Sequence, residues 1–250
     1  VCVYNEEETI EYVLRTCHEM NEDAEIVVVD DGSDDQTPEI LRTLEEEFPI
    51  SLFTIPENQG KSNAMALGAE KASHEIILFF DADVTGIKQE HFKKLLDPLM
   101  QKEPEADMVP GSPSETLINY NVNPFRTLTG ERSLFKKDFL PLLDDIRDIR
   151  FGVETYINMY YQAHGKKIKY TILEGLTHPT KYKKTSVGQA TREFLVEGGQ
   201  IAEVLLKNYD LILKRIGTSL EERGDSVKES YKKLQEELNE RIRVLLRDNG

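Results

Sequence analysis

Cysteine is scarce in this chain of 250 residues, limited to Cys2 and Cys17. Two thiols make neither a disulfide framework nor a metal-ligand pattern. They read as reduced, buried small hydrophobes of a cytoplasmic protein. Long apolar runs are missing too: no stretch approaches the ~20 residues that cross a bilayer, and no secretory signal is visible. The first residue, Val1, already stands in an apparent strand, so a few preceding residues are expected. Basic charge is in deficit, with 31 Lys and Arg against 46 Asp and Glu and a net charge of −15. That excludes a nucleic-acid footprint, which needs a basic face. Part of the acid is local: Glu45-Glu46-Glu47 is a solvated helix face. No Gly-x-Gly-x-x-Gly follows a strand, and no Walker spacing is present, which argues against a dinucleotide dehydrogenase and a P-loop enzyme.

Two acidic strand ends carry most of what is present. Val27-Val28-Val29 stops at Asp30-Asp31-Gly32-Ser33, and Ile76-Ile77-Leu78-Phe79-Phe80 stops at Asp81-Ala82-Asp83. Wholly apolar runs of this length are strands buried on both faces, the signature of a parallel sheet. Ligands of such sheets bind at the carboxyl ends of the strands. Side chains alternate along a strand, so Asp81 and Asp83 can face the same way, and two hard oxygen ligands suit Mg²⁺ or Mn²⁺ shared with a diphosphate. A solvated turn is the bland alternative for each. It does not explain paired carboxylates closing both runs.

Strand and helix alternate through the first 110 residues. Strands are expected at 1–4, 25–29, 50–55, 75–80 and 106–109, with helices at 9–20, 37–47, 60–72 and 89–101. Thr37-Pro38 supplies an N-cap and a first-turn proline. The pattern specifies right-handed βαβ crossovers. From 111 to 186 regularity drops: Gly111-Ser112-Pro113-Ser114 and 119–124 read as loop, 153–164 as helix and 168–173 as strand. From about 188 onward two apolar stripes, the second near heptad spacing through Tyr231, Leu234, Leu238 and Leu245, read as a helical hairpin.

Four motifs in order are similar to family 2 glycosyltransferases of the GT-A fold: Val3-Tyr4-Asn5-Glu6-Glu7, Val-Val-Asp-Asp-Gly-Ser, Glu57-Asn58-Gln59-Gly60-Lys61 and Phe-Phe-Asp-Ala-Asp. Cys2 stands where that family often has proline. The resemblance implies an α/β, Rossmann-like fold whose mainly parallel central sheet is flanked by helices, with the C-terminal hairpin as an extension. It divides the chain into a GT-A domain over 1–186 and an α-helical extension over 187–250. Within that domain, 1–110 forms the nucleotide-sugar half and 111–186 the acceptor half.

The resemblance further implies a UDP- or GDP-sugar donor. Tyr4, Asn5 and Glu6 would lie beside the nucleoside, Asp31 would accept from the base, and Lys61 would lie near base or phosphates. Asp81 would approach ribose and metal, with Asp83 as the main metal ligand. Thr129-Gly130-Glu131-Arg132-Ser133 and Phe151-Gly152-Val153-Glu154 resemble acceptor-side segments of polyprenyl-phosphate sugar transferases and glucosyl-3-phosphoglycerate synthases. On that footing Glu154 is a candidate general base and Glu131 a second, while Arg132 would bind a donor or acceptor anion. For Glu154 the competing explanation is favourable charge at a helix N-terminus. His178, just past the last expected strand, would complete the metal's coordination. His18, His74, His91 and His164 are given no role.

The expected activity is metal-dependent transfer of a sugar to an acceptor hydroxyl or phosphate, inverting by family. The acceptor is a small molecule, a glycan or a lipid phosphate. A retaining enzyme of the glucosyl-3-phosphoglycerate synthase type is the first alternative. A sugar-phosphate nucleotidyltransferase is the second, although its glycine-rich basic loop would stand where this chain has Asn5-Glu6-Glu7-Glu8. A sugar-nucleotide-binding scaffold is the non-enzymatic alternative. The C-terminal helices would carry any homodimer contact, or peripheral contact with the inner face of the membrane.

Overall fold

A computed structural model of the chain describes residues 1–21, 23–113, 129–147, 149 and 152–178, with 207, 208, 210, 211, 214 and 236 beyond them. Among the described residues the elements alternate as β1 (Cys2–Val3), α1 (Ile10–Met20), β2 (Val27–Asp30), α2 (Thr37–Glu47), β3 (Ser51–Thr54), α3 (Lys61–Lys71), β4 (Ile76–Phe79) and α4 (Gln89–Met100). Then come β5 (Met108–Pro113), β6 (Arg132–Phe135), α5 (Lys136–Phe139), a 3₁₀ turn (Leu140–Leu142), α6 (Leu143–Arg147), α7 (Val153–Ala163) and β7 (Thr171–Leu173).

Strands β1, β2 and β3 pair in parallel, with Cys2 opposite Val29 and Val29 opposite Phe53. A second sheet runs β4-β6-β5-β7; β6 is antiparallel to both neighbours, and β5 is parallel to β7. An isolated parallel bridge between Cys2 and Asp81 connects the edge of β1 to the end of β4. The expected mixed α/β architecture with a mainly parallel sheet is therefore present.

The apolar run of β4 is continuous because both its faces are covered. Ile77 and Phe79 belong to the core cluster with Met65, Ala66 and Ile157, while Ile76, Leu78 and Phe80 belong to the one with Leu14, Val28 and Phe92. Alternate residues go to opposite sides, and helices close each side: α1, α2 and α4 on one, α3, α6 and α7 on the other. Burial of this kind is worth about 1.5–3 kcal/mol per large aliphatic side chain.

Three local expectations are corrected. Gly111-Ser112-Pro113 is the outer half of β5, not a loop: these residues pair with Thr171, Ile172 and Leu173 of β7. Residues 132–135, not expected as a strand, form β6. Thr37 is not the N-cap of α2: Gln36 occupies that position, and the Thr37 hydroxyl accepts from the Glu6 backbone N–H at 3.0 Å. The segment 119–124 and nearly all of the C-terminal hairpin lie outside the described residues. No helix among those described is long and apolar enough to cross a membrane.

Candidate active site

The carboxyl ends of β1 and β2 are stitched by short polar loops. Asn5 takes a left-handed backbone with φ of 54°. Its side-chain amide donates to Asp34 at 2.6 Å and accepts from the Asp34 N–H at 2.9 Å. Tyr4 beside it is 44% exposed. Asp30 accepts from the Ser33 N–H, closing the turn. Asp31 is buried, and its two oxygens accept from the Gln59 and Gly60 N–H groups at 2.9 and 2.7 Å. Asp31 therefore fixes the entry to α3, and with it Lys61 at the first turn.

Lys61 bridges two carboxylates, Asp81 at 2.8 Å and Glu154 at 3.0 Å. Burial alone would lower the lysine pKa, but Asp81 and Glu154 hold it well above the usual value. The same contacts act in reverse on the acids. Burial would raise Asp81, yet Lys61 and His178 hold it well below the ordinary carboxylate range. Glu154 is likewise pushed up by burial and brought below its ordinary value by Lys61 and Arg132.

Three chain segments converge on Asp81. His178 arrives because Thr85 and Thr177 pair as an antiparallel bridge, with reciprocal backbone bonds of 2.9 and 3.0 Å. Gly86 at φ +73° lets the two turns touch, since a Cβ there would lie 2.1 Å from the Gly175 carbonyl. His178 Nε2 then stands 3.5 Å from Glu131 Oε1, 3.7 Å from Asp81 Oδ2 and 3.8 Å from Asp83 Oδ1. These separations are too long for hydrogen bonds. The attraction is Coulombic: burial would lower the imidazole, and the three carboxylates outweigh it, raising His178 to about 9.

Glu131 precedes β6 and is fully buried; Thr129 donates to its Oε2 at 2.7 Å. Among the described residues, Glu131 Oε1 and His178 Nε2 are both buried without a hydrogen-bond partner. Ligating atoms of Asp81, Glu131 and His178 lie within 4.8 Å of one another. Donors to a single small cation, each at about 2.0–2.2 Å, stand roughly 3–4 Å apart. Two oxygens and an imidazole nitrogen suit Mn²⁺ or Mg²⁺, so these residues fit a divalent cation. Gly130 belongs to the arrangement as well: a Cβ there would fall 2.1 Å from both Asp81 oxygens.

All the residues singled out from the sequence lie along the carboxyl ends of β1, β2 and β4 or on segments that reach them. Arg132, like Glu131, is fully buried, so its head does not meet solvent. Burial pulls its guanidinium pKa down against the pull of Glu154, Asp81 and Glu131. Glu131 joins the cation-type cluster. Gly130, Thr129, Asn158 and the Thr85–Thr177 pair had no separate signal in the sequence, because their roles exist only through contacts across the chain.

The family profile described as glycosyl transferase family 2 matches residues 1–173. The chain belongs to that family. Among curated relatives, poly-beta-1,6-N-acetyl-D-glucosamine synthase of Staphylococcus aureus is 37% identical over 81 residues, 32% of this chain. The enzyme of the same name from Staphylococcus epidermidis is 31% identical over 111 residues, 44% of this chain. This family 2 chain spans only 20% and 26% of their lengths. Among solved structures, glucosyl-3-phosphoglycerate synthase from Mycobacterium tuberculosis, in complex with Mn²⁺, UDP and phosphoglyceric acid, superposes with a TM-score of 0.62 at 18% identity. The match covers 82% of this chain and 75% of that one. TarS of S. aureus in complex with UDP gives a TM-score of 0.54 at 18% identity, over 69% and 58% of the two chains. At these identities the likeness is one of fold, and the fold is GT-A.

Proposed function

We propose that this family 2 glycosyltransferase transfers a sugar from a nucleotide-diphospho-sugar, with UDP-sugar the first choice, to an acceptor hydroxyl or phosphate. The observation that carries the reading is the convergence of Asp81, Asp83, Glu131 and His178 at the end of β4, with two buried donor atoms lacking a partner among the described residues. UDP stands bound in both the synthase and TarS, and Mn²⁺ in the synthase, which supports the donor class and the cation.

In this reading Asp81, Asp83, Glu131 and His178 hold Mn²⁺ or Mg²⁺. A cation there supplies Lewis-acid neutralisation of the charge on the departing diphosphate. Tyr4 offers an exposed ring beside the nucleoside, with Asn5 and Glu6 shaping the same edge. Asp31 keeps free lone pairs after its two backbone bonds, because a carboxylate accepts at about four sites; one of them takes a base N–H. Lys61 contributes positive charge next to the diphosphate. Glu154 is 16% exposed at its side chain whereas Glu131 is closed off, so Glu154 is the carboxylate an acceptor hydroxyl can reach as general base. Its pairing with Lys61 keeps it ionised, as a base must be. Inversion follows from in-line attack assisted by such a base; the anomer of the product separates this from a retaining reaction.

The test is hydrolysis or transfer of UDP- and GDP-sugars with and without Mn²⁺. The expected result is metal-dependent release of nucleoside diphosphate, reduced at least a hundredfold in Asp83→Ala. Pyrophosphate release from a nucleoside triphosphate and a sugar phosphate would instead make the protein a nucleotidyltransferase. A wild type that hydrolyses no donor and shows no melting shift with any nucleotide sugar plus Mn²⁺ would sink the assignment.

A further inference from the structure

Arg132 is the largest fully buried side chain of the molecule's described part, at 0% exposure, next in the chain to Glu131 of the cluster. A guanidinium carries its charge at any working pH, so placing one in the interior requires compensation. Its Nη2 donates to the Thr129 carbonyl, and its Nη1 lies 3.4 Å from the Asn158 amide oxygen on α7. Its Nε is buried without a hydrogen-bond partner among the described residues. The rest of the compensation is Coulombic and comes from Glu154, Asp81 and Glu131.

The residue thereby grips two things that shape the cluster. Thr129 begins the turn whose next residue, Gly130, packs directly against the Asp81 carboxylate, and whose third, Glu131, offers Oε1 toward His178. Asn158 lies one helical turn after Glu154 on α7, so the same guanidinium also fixes the helix that presents Glu154 to Lys61. Charge adds a second constraint. Four carboxylates (Asp81, Asp83, Glu131 and Glu154) face two permanent cations, Lys61 and Arg132. With His178 neutral, as an imidazole that ligates a metal must be, that leaves two negative charges, the complement of one divalent cation.

We propose that Arg132 is the positioning residue and built-in counter-ion of this cluster: it holds the 129–131 turn against Asp81 and tunes the cluster's charge to a divalent cation, without touching donor or acceptor. This rests on the cation reading above. It differs from an anion-binding arginine, which would have to reach the ligand.

The experiment compares wild type, Arg132→Met, Arg132→Lys and the double variant Arg132→Met with Glu154→Gln. Each is titrated calorimetrically with Mn²⁺ and with Tb³⁺ in the absence of donor, and each is melted in EDTA. An extra unit of negative charge favours a trivalent over a divalent ion by an order of magnitude or more at the effective dielectric of such sites. Arg132→Met should therefore shift the Mn²⁺-to-Tb³⁺ Kd ratio at least tenfold toward Tb³⁺. The double variant should return the ratio to within threefold of wild type and recover most of the lost melting temperature. Arg132→Lys keeps the charge but cannot span Thr129 and Asn158, so both ions should weaken at least fivefold with the ratio kept. An unchanged ratio in Arg132→Met, or no recovery in the double variant, overturns the proposal. If Arg132→Met does not fold, the lysine and double variants still decide it. A wild type that binds no Mn²⁺ removes the cation reading instead, and recovery of melting in EDTA then judges the counter-ion role alone.

Discussion

His91 sits at the start of α4 with its ring wholly enclosed. Its Nδ1 accepts from the Lys88 backbone N–H at 3.3 Å, and its Nε2 faces the Glu174 carbonyl at 3.1 Å. Only the neutral ring protonated on Nε2 serves both partners, and protonating Nδ1 would break the first bond. Burial accordingly lowers the pKa, helped by Lys88 and Lys94. A folded-state value below the unfolded one means that the unfolded chain takes up the proton first. The contribution to stability is thus present above the unfolded pKa of about 6.5 and is lost as pH falls through the folded value. His178 has the opposite sign, with a folded value near 9: its contribution is present below about 6.5 and is lost as pH rises toward 9. Comparing His91→Gln with wild type isolates the first effect, since glutamine offers an acceptor and a donor but does not titrate there. Urea unfolding should show the variant about 1 kcal/mol less stable at pH 8, with the gap narrowing toward pH 5. A gap of constant size across that range would refute the buried neutral ring.

Elements differ in how plainly the sequence announces them, and the reason is what each face meets. Strands β2 and β4 are readable because both faces are apolar. Strand β6 is not: Arg132 and Ser133 are polar and yet fully buried, so half of this strand looks like solvent-facing chain. Its burial depends on partners far along the sequence, such as the Leu95 carbonyl that accepts from the Ser133 hydroxyl. The outer half of β5 misleads differently. Gly111-Ser112-Pro113 has turn chemistry, but here the glycine is required by close packing: a Cβ on Gly111 would lie 2.7 Å from Leu173 Cδ1 and 3.0 Å from Leu95 Cδ2. The β5–β7 pairing places the 174–178 segment on which His178 rides. Gly111→Ala should cost about 1–3 kcal/mol through overpacking, seen as a lowered urea midpoint with an unchanged slope. Combining it with Leu173→Ala should cost less than the sum of the two single changes, because the shortened side chain makes room. Strict additivity would mean that the contact does not constrain the sheet.

For the molecule as a whole, the acidic ends of β2 and β4 are legible in the sequence because each closes an apolar run with its own carboxylates. The remainder is not, because Lys61, Asp81, Glu131, Glu154 and His178 come from five separate segments and meet only once the sheet is assembled. Such a site should report on global folding, and Cys17 provides the probe. It is buried on α1 within the same core cluster as Val28, Phe80 and Phe92, with its thiol pushed by burial from 9.0 to about 11. Near pH 8 a thiol held there carries about a hundredfold less thiolate than one in water, and only the thiolate is alkylated. Peptide-resolved mass spectrometry with iodoacetamide should therefore find Cys17 labelled at least a hundredfold more slowly in the native protein than in urea. If labelling requires global opening, a ligand that binds only the folded state slows it further. UDP with Mn²⁺ at a hundred times Kd stabilises by about 2.7 kcal/mol, another hundredfold in rate. Labelling that stays at the ligand-free rate, under conditions where binding has been measured independently, would show that α1 opens by itself and is uncoupled from the acidic strand ends across the sheet.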